Sequence, residues 1–178
     1  MSMRDALAGT VVALMLGSGT VTAADAPRLG QPISAADLAP WDISIKPDGS
    51  GLPPGSGTAA EGEAIYVRRC MACHGEKGAG AHVGPALASI GKSKQYKLIG
   101  NFWPYATTIF DYTRRAMPWR QPKTLTDNEV YALTAYILAS NKIISATDVM
   151  NAETLPKVRM PNRDGFTDVY LEKHRAAQ

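Results

Sequence analysis

Apolar residues recur at helical spacing most regularly in the second half of the chain. Val130, Leu133 and Ile137 fall on one face of a helix with about 3.6 residues per turn. Just before them, Thr126 and Glu129 have the spacing of a capping box, in which the Thr side chain accepts from a free backbone N–H and the Glu side chain reaches back. The pattern predicts a helix that begins directly after Thr126.

Another capping box, formed by Thr58 and Glu61, predicts an earlier helix over residues 59–71. Gly62 and Tyr66 share one face of this helix by spacing, together with the residues at its C-terminal end.

Prolines mark the two ends of a third predicted helix. Pro104 suits the first turn, where its missing N–H is not needed. The helix is predicted to end near Ala116, because the residue before Pro118 is disfavoured in the helical region. Residues 75–100 contain recurring glycines without a long apolar period, which predicts a loop with at most a short helix. No segment alternates as a strand of useful length would, so the predicted fold class is all-α.

Two stretches of different composition flank the helical segments. Residues 25–57 are rich in Pro and Gly and predict an extended arm. Residues 58–141 hold the predicted helical domain, and residues 142–178 form a polar C-terminal extension. Three apolar residues are predicted to anchor the arm: Trp41, Ile43 and Ile45.

Residues 1–24 have the layout of a secretory signal peptide. Arg4 lies in a short polar start, residues 6–16 are almost wholly apolar, and small residues end the segment at Ala23 and Ala24. The alternative, a membrane anchor, is disfavoured because the apolar run is shorter than the roughly 20 residues that a spanning helix needs. The mature chain is therefore predicted to be exported, with no membrane span.

The composition is that of a globular protein, with 45% hydrophobic and 20% charged residues. The net charge is +3, and no run of Lys or Arg exceeds two residues. Nucleic-acid binding is therefore not expected. The mild positive charge is compatible with docking on an acidic protein surface, where charge mainly affects the rate of encounter.

The candidate chemistry lies in the segment R-C-M-A-C-H-G at residues 69–75. Cys70 and Cys73 are the chain's two cysteines, and His74 follows at once. This is the C-x-x-C-H pattern of haem attachment. Each thiol can add to one vinyl group of a haem to give a thioether bond, and His74 is then held where its imidazole can reach the iron. Such attachment occurs in exported proteins, in agreement with the predicted signal peptide.

Other readings of the two cysteines fit less well. A disulfide between Cys70 and Cys73 would close a very small loop and constrain little of the chain. A zinc site would need two further ligands, and no other cysteine exists. A thioredoxin-like pair would lack the adjacent histidine and would be expected in a βαβ context, which the pattern does not show.

With this motif the chain resembles the class I c-type cytochromes. The resemblance implies one covalently attached haem c and a first helix that carries the haem motif and crosses the last core helix. In that family a small residue and an aromatic of the first helix meet an aromatic of the last. Gly62 and Tyr66 match the first pair, and Tyr136 is the candidate partner, although plain core packing would use the same residues.

The segment G-P-A-L at residues 84–87 matches a Gly-Pro-x-Leu segment of the same family. The resemblance implies that the Pro85 carbonyl accepts a hydrogen bond from the His74 ring N–H. Such a contact orients the imidazole and increases its donor strength toward a metal.

The family usually completes the iron coordination with a methionine sulfur, which raises the reduction potential. Met117 lies in a predicted loop directly before the final core helix, whereas Met150 and Met160 follow that helix, where the family does not place its ligand. Histidines are the rival ligands. His82 is too close to the motif to reach the opposite haem face easily, and His174 is near the chain end. Met117 is the predicted sixth ligand.

Aromatic and basic residues flank Met117 in the sequence. They are candidates for hydrogen bonds to the haem propionates or for the rim of a docking surface. An equally good interpretation is that the aromatics are core residues and the arginines are solvated. The residues concerned are Trp103, Tyr105, Arg114, Arg115 and Trp119.

Longer strings at residues 41–66, 102–119, 126–144 and 155–166 are similar to the cytochrome subunits of bacterial sulfur-compound dehydrogenases. These include the SoxD-like cytochrome of sulfane dehydrogenase and the cytochrome of molybdenum sulfite dehydrogenases. The sulfane dehydrogenase cytochrome can be longer and carry a second haem, whereas this chain has one attachment motif. That difference favours the single-haem relative that serves a sulfite dehydrogenase.

The resemblance implies a periplasmic electron-transfer protein rather than an enzyme. Its partners would be the catalytic subunit of a molybdenum sulfite dehydrogenase, which donates electrons one at a time, and a downstream cytochrome c or oxidase. Two alternatives stay open: a general electron shuttle without a sulfur link, and a five-coordinate haem enzyme or sensor if Met117 is not a ligand.

Overall fold

The computed structural model describes residues 30–88 and 97–167. The predicted signal peptide, His174 and the end of the C-terminal extension lie outside these ranges. No helix in the described part of the chain is long and apolar enough to cross a membrane.

By its contacts the chain divides into two compact units, Met1–Trp41 and Asp42–Gln178. The described part of the first unit holds one short helix, α1 (Ala35–Leu38), whose start is capped by the Ser34 side chain. Trp41, predicted as an anchor of the arm, has 72% of its surface exposed. The first unit is therefore an exposed, locally capped turn in the part that the structure describes.

Helices dominate the second unit, as predicted. The two capping boxes are both present, because Thr58 accepts from the Glu61 N–H and Thr126 accepts from the Glu129 N–H. The elements, in chain order, are β1 (Ser56–Thr58), α2 (Ala59–Arg69), α3 (Met71–His74), a 3-10 turn (Glu76–Gly78), α4 (Ile99–Phe102), α5 (Ala106–Ala116), α6 (Asp127–Ser140), β2 (Val149–Asn151) and a second 3-10 turn (Leu155–Lys157).

The helix predicted over residues 59–71 is divided in two. Regular α-helix ends at Arg69, and Cys70 departs from helical geometry with φ −125° and ψ −34°. A new turn, α3, then runs to His74. The break changes the direction of the chain at the first cysteine, so spacing along one continuous helix does not describe where the C-x-x-C-H side chains lie.

The third predicted helix, α5, ends at Ala116 as expected, and Met117 is extended with φ −114° and ψ 147°. It begins at Ala106, two residues later than Pro104 suggested, because Tyr105 is still extended. The Met117–Pro118 peptide bond is cis. The helix end thus delivers Met117 into the connection between α5 and α6.

The crossing of α2 and α6 organises the core. Gly62 faces the backbone of α6 so closely that an added Cβ would lie 2.0 Å from the Ala132 carbonyl oxygen. Beside this contact the rings of Tyr66 and Tyr136 pack with centroids 5.0 Å apart, which places Tyr136 opposite Tyr66 as predicted. Nine consecutive residues of α6, Val130 to Leu138, are buried. A helix buried on every side is typical of the centre of a fold.

A short β-ladder joins the segment before α2 to a segment after α6, and the sequence pattern did not predict it. β1 and β2 pair antiparallel, with Gly57 opposite Met150. Each strand has three residues, which is too short for an alternating pattern to be recognised. Gly57 also lies against α6, since an added Cβ would be 2.3 Å from the Ala132 amide nitrogen.

Both flanking segments pack on the helices. The Tyr131 hydroxyl donates to the Pro53 carbonyl at 2.8 Å, and the Ile45 N–H donates to Asp111 Oδ1 at 3.2 Å. From the other end of the chain, Met150 and Met160 are buried in the main core. The packed unit therefore extends beyond the predicted helical domain of residues 58–141 on both sides.

The helix crossing makes Gly62→Ala a sharp test of the fold. Alanine would gain about 1 kcal/mol in helix propensity over glycine. Its Cβ would, however, overlap the Ala132 carbonyl oxygen, and overpacking of this kind costs about 1–3 kcal/mol or more. We expect a net loss of stability, measured as a lower urea midpoint. Ala64→Ser, on the exposed side of the same helix, is the control; equal midpoints for the two variants would contradict the crossing.

Candidate functional site

A cavity of about 500 Å³ lies in the second unit and brings the candidate residues together. Cys70, Cys73, His74 and Pro85 line it, and so does Met117 from the connection after α5. The volume is within the range of about 300–1,000 Å³ that is typical of ligand and cofactor sites. Residues far apart in sequence thus meet at one site.

Apolar side chains from several elements form much of the cavity wall. Leu133 and Ile137 come from α6, and Ile109 comes from α5. Leu87 is the last residue of the G-P-A-L segment at residues 84–87, which we call the proline segment. Because α6 is buried on all sides, it presents these side chains to the cavity from a rigid element. An apolar wall of this kind excludes water from the groups that it surrounds.

The turn α3 sets the positions of the cysteines and the histidine. The Cys70 carbonyl accepts from the Cys73 N–H at 3.1 Å and from the His74 N–H at 2.9 Å. The two thiols are not joined in a disulfide; Cys70 is half-buried and Cys73 is exposed. Burial raises the pKa of the Cys70 thiol to about 11, so this group is neutral at physiological pH.

The Pro85 carbonyl oxygen lies 2.8 Å from His74 Nδ1, the contact that the sequence comparison implied. A carbonyl oxygen can only accept, so in the neutral imidazole Nδ1 carries the proton and Nε2 keeps the lone pair. The hydrogen bond therefore leaves Nε2 as the nitrogen that can bind a metal.

The loop after the motif wraps closely around His74. The His74 carbonyl accepts from the Gly80 N–H at 2.8 Å, and the Tyr66 hydroxyl donates to the Gly75 carbonyl at 2.7 Å. At Gly84 an added Cβ would lie 2.7 Å from the Cys73 carbonyl oxygen and 3.1 Å from His74 Nδ1. The glycine at position 84 therefore lets the proline segment approach the imidazole.

Met117 is the methionine that lines the cavity among the described residues. Met150 and Met160 are 4% and 1% exposed and pack in the main core instead. His82 is exposed and does not line the cavity, and His174 lies outside the described residues. The structure thus separates the candidate sixth ligands by position.

Arg114 and Arg115 do not reach the cavity. Arg114 Nε pairs with Asp127 at 3.2 Å, and Arg115 Nε pairs with Asp111 at 2.9 Å. Both arginines are paired with carboxylates, so the interpretation in which they bind haem propionates is not the one that the geometry favours. Arg115 is paired within α5 itself and Arg114 with the first residue of α6. The sequence alone had left both interpretations of these arginines open.

The basic residues that do line the cavity are Arg69 and Lys97. Sequence reasoning did not select either of them, although the position of Arg69 next to Cys70 was an available signal. Of the flanking aromatics, Trp103 and Trp119 line the cavity, and Tyr105 stacks under Arg163 with the guanidinium carbon 4.1 Å from the ring centroid.

The donor set of the cavity fits a covalently attached haem. It offers two unpaired thiols, Cys70 and Cys73, a histidine whose Nε2 lone pair is available, and the thioether of Met117. No group of three or more His, Cys, Asp or Glu side chains that could hold a metal ion by themselves occurs in the described ranges.

Comparison with known proteins identifies relatives of the chain. The family model described as cytochrome c oxidase, cbb3-type, subunit III matches residues 57–137. A chain in the crystal structure of the sulfane dehydrogenase SoxCD from Paracoccus pantotrophus is 34% identical, with a TM-score of 0.74. The similarity covers 85% of this chain and 77% of that chain. No curated protein is significantly similar to this sequence.

The close approach at position 84 predicts that Gly84→Ala destabilises the site. The added methyl group would push against the Cys73 carbonyl and the His74 ring, so the proline segment must move away from the imidazole. We expect a loss of about 1–3 kcal/mol in unfolding free energy, measured by denaturant titration of the haem-loaded protein. Val83→Ala, at an exposed neighbouring position, is the matched control. A variant as stable as that control would contradict the tight fit.

Proposed function

Since this chain belongs to the c-type cytochromes and has the class I fold, we propose that it is a periplasmic carrier that takes electrons one at a time from a sulfur-compound dehydrogenase. Members of this family carry covalently bound haem c and transfer electrons. The proposal adds three parts to this. It assigns the residues that hold the haem, it identifies the electron donor, and it gives the location of the protein.

In the proposal, Cys70 and Cys73 attach the haem, each by adding its S–H across one vinyl group. His74 offers Nε2 to the iron, with its ring held by the Pro85 carbonyl at 2.8 Å. Met117 offers its sulfur as the sixth ligand. The observation that carries this assignment is the single cavity that all five residues line.

The bound haem supplies a one-electron Fe(III)/Fe(II) couple. His74 and Met117 would both bind the iron, and these two ligands would leave no coordination position for a substrate or for oxygen. The chain itself then binds and orients the haem, excludes water with its apolar wall and sets the potential through Met117. These are the contributions of a carrier, and the chemistry on the sulfur compound belongs to a partner.

The similarity to a chain of the sulfane dehydrogenase SoxCD structure supports a dehydrogenase as electron donor. We propose a molybdenum sulfite dehydrogenase, because the chain has one C-x-x-C-H motif. Sulfite and water give sulfate, two protons and two electrons. A carrier with one haem accepts only one of these electrons in each encounter with the donor. The electrons then pass to a downstream cytochrome c or oxidase.

Export to the periplasm is supported by the signal-peptide pattern of residues 1–24. Haem attachment through C-x-x-C-H takes place in exported proteins, so the motif and the N-terminal pattern support the same location. The general electron shuttle and the five-coordinate haem protein are alternatives that the following experiments separate.

Met117→Leu tests the sixth ligand. The oxidised wild-type protein is expected to show the weak near-infrared band of methionine–iron ligation and to resist carbon monoxide when reduced. The variant should lose the band, bind carbon monoxide readily and have a lower reduction potential, because the methionine favours reduced iron. Met150→Leu, a change of similar volume in the core, is the control. A wild-type protein that lacks the band and binds carbon monoxide would instead support the five-coordinate alternative.

Stopped-flow reduction tests the electron donor. Sulfite mixed with the cytochrome should reduce it slowly or not at all, whereas a catalytic amount of the sulfite dehydrogenase should make reduction fast. The electron balance requires two molecules of cytochrome reduced per sulfite oxidised. Fast reduction with a sulfane-sulfur dehydrogenase and its substrate but not with the sulfite enzyme would reassign the donor. Equal reduction by unrelated donors would favour the general shuttle.

A further inference from the structure

Three hydrogen bonds connect the residue before Cys70 to the residue after Met117. Arg69 Nη2 donates to Thr124 Oγ1 at 2.8 Å, and that hydroxyl donates to the Gln121 carbonyl at 2.8 Å. The Gln121 N–H in turn donates to the Pro118 carbonyl at 2.8 Å. The series runs from Arg69, the last residue of α2, to the connection between α5 and α6. We call α2 the haem-motif helix because it leads directly into the C-x-x-C-H motif. Arg69 and Thr124 are 55 residues apart in the sequence.

This connection has little burial of its own after Pro118. Residues 119–124 are all exposed, so little apolar burial holds them in place. Leu125 packs against both core clusters at the end of the connection, and the pair of Arg114 with Asp127 joins the helices on either side. Between these points, the hydrogen bond from Arg69 to Thr124 ties the connection to α2.

We propose that Arg69 is a positioning residue that acts through Thr124 to hold residues 118–124 against the haem-motif helix and so keep Met117 on the iron. The inference rests on the proposed function, because it takes Met117 as the sixth ligand. Arg69 suits the task because its planar guanidinium has several donors and is always charged, and a charge-assisted bond is stronger than a neutral one.

A thioether is a neutral ligand that can leave the iron when its chain segment moves away. The fraction of time for which it is detached then controls how fast carbon monoxide enters the reduced protein. Loss of one hydrogen bond from the closed arrangement should raise this fraction by about threefold to tenfold. The rate of carbon monoxide binding therefore measures how firmly the hydrogen bond between Arg69 and Thr124 keeps Met117 in place.

Two effects of Arg69 must be separated, since the residue also lines the cavity and its charge can act on the haem directly. Thr124→Val removes the hydroxyl at nearly constant volume and leaves the charge of Arg69 in place. Thr124→Ser restores the hydroxyl. Arg69→Lys keeps the positive charge but replaces the planar fork with a point charge. Thr108→Val, at an exposed position of α5, is a control for the same exchange elsewhere.

The experiment measures carbon monoxide association with the reduced haem-loaded protein, the near-infrared methionine band and the reduction potential. We expect Thr124→Val and Arg69→Lys to bind carbon monoxide about threefold to tenfold faster than wild type, with a weaker band and a lower potential. Thr124→Ser and Thr108→Val should behave as wild type. A purely structural role would lower the urea midpoint without moving these three quantities.

Wild-type behaviour of Thr124→Val in all three measurements overturns the inference, and so does a Thr124→Ser variant as fast as Thr124→Val. If Thr124→Val does not fold, the comparison of Arg69→Lys with wild type decides in the same way. A wild-type protein without the methionine band contradicts Met117 ligation itself. That outcome overturns the proposed function, and it is distinguishable from failure of the positioning role.

Discussion

The contact between Gly62 of α2 and the backbone of Ala132 in α6 is the constraint on which the rest of the structure depends. An added Cβ at Gly62 would meet the Ala132 carbonyl at 2.0 Å, so the two helices cross at a distance that only glycine permits. One side of the crossing leads along α2 to Arg69 and Cys70. The other leads along α6 to Leu133 and Ile137, which line the same cavity. The crossing therefore sets the haem motif against the apolar wall.

From this crossing the remaining parts of the site take their positions through hydrogen bonds and through the close approach at Gly84. The Pro85 carbonyl fixes the tautomer and direction of His74, and Asn141 holds the same segment through the Leu87 carbonyl at 3.0 Å. Met117 comes from a connection with little burial of its own. If His74 and Met117 bind the iron as proposed, hydrogen bonds from the proline segment would fix the position of His74. The position of Met117 would depend on the contacts of its own connection between α5 and α6.

Some features of the site followed directly from the sequence, because they depend on neighbouring residues. The capping boxes at Thr58 and Thr126 and the end of α5 before Pro118 are of this kind, and the structure confirms them. Features that the sequence left open or did not predict depend on direction or on distant contacts instead. Arg114 and Arg115 are next to Met117 in sequence, yet the helix turns them toward carboxylates. The strands β1 and β2 exist only as a pair, so neither has a local signal.

By itself the sequence determined the cofactor chemistry, since C-x-x-C-H requires only that its residues be adjacent. It also determined the three longer helices α2, α5 and α6, because periodicity and capping are local properties. The sequence also predicted Met117 as the sixth ligand, from its place before the last core helix. Tertiary structure alone placed Met117 at the cavity and buried Met150 and Met160 in the core. It likewise brought Arg69 to Thr124, a contact between residues far apart in the chain that depends on the crossing of two helices and therefore leaves no local signal.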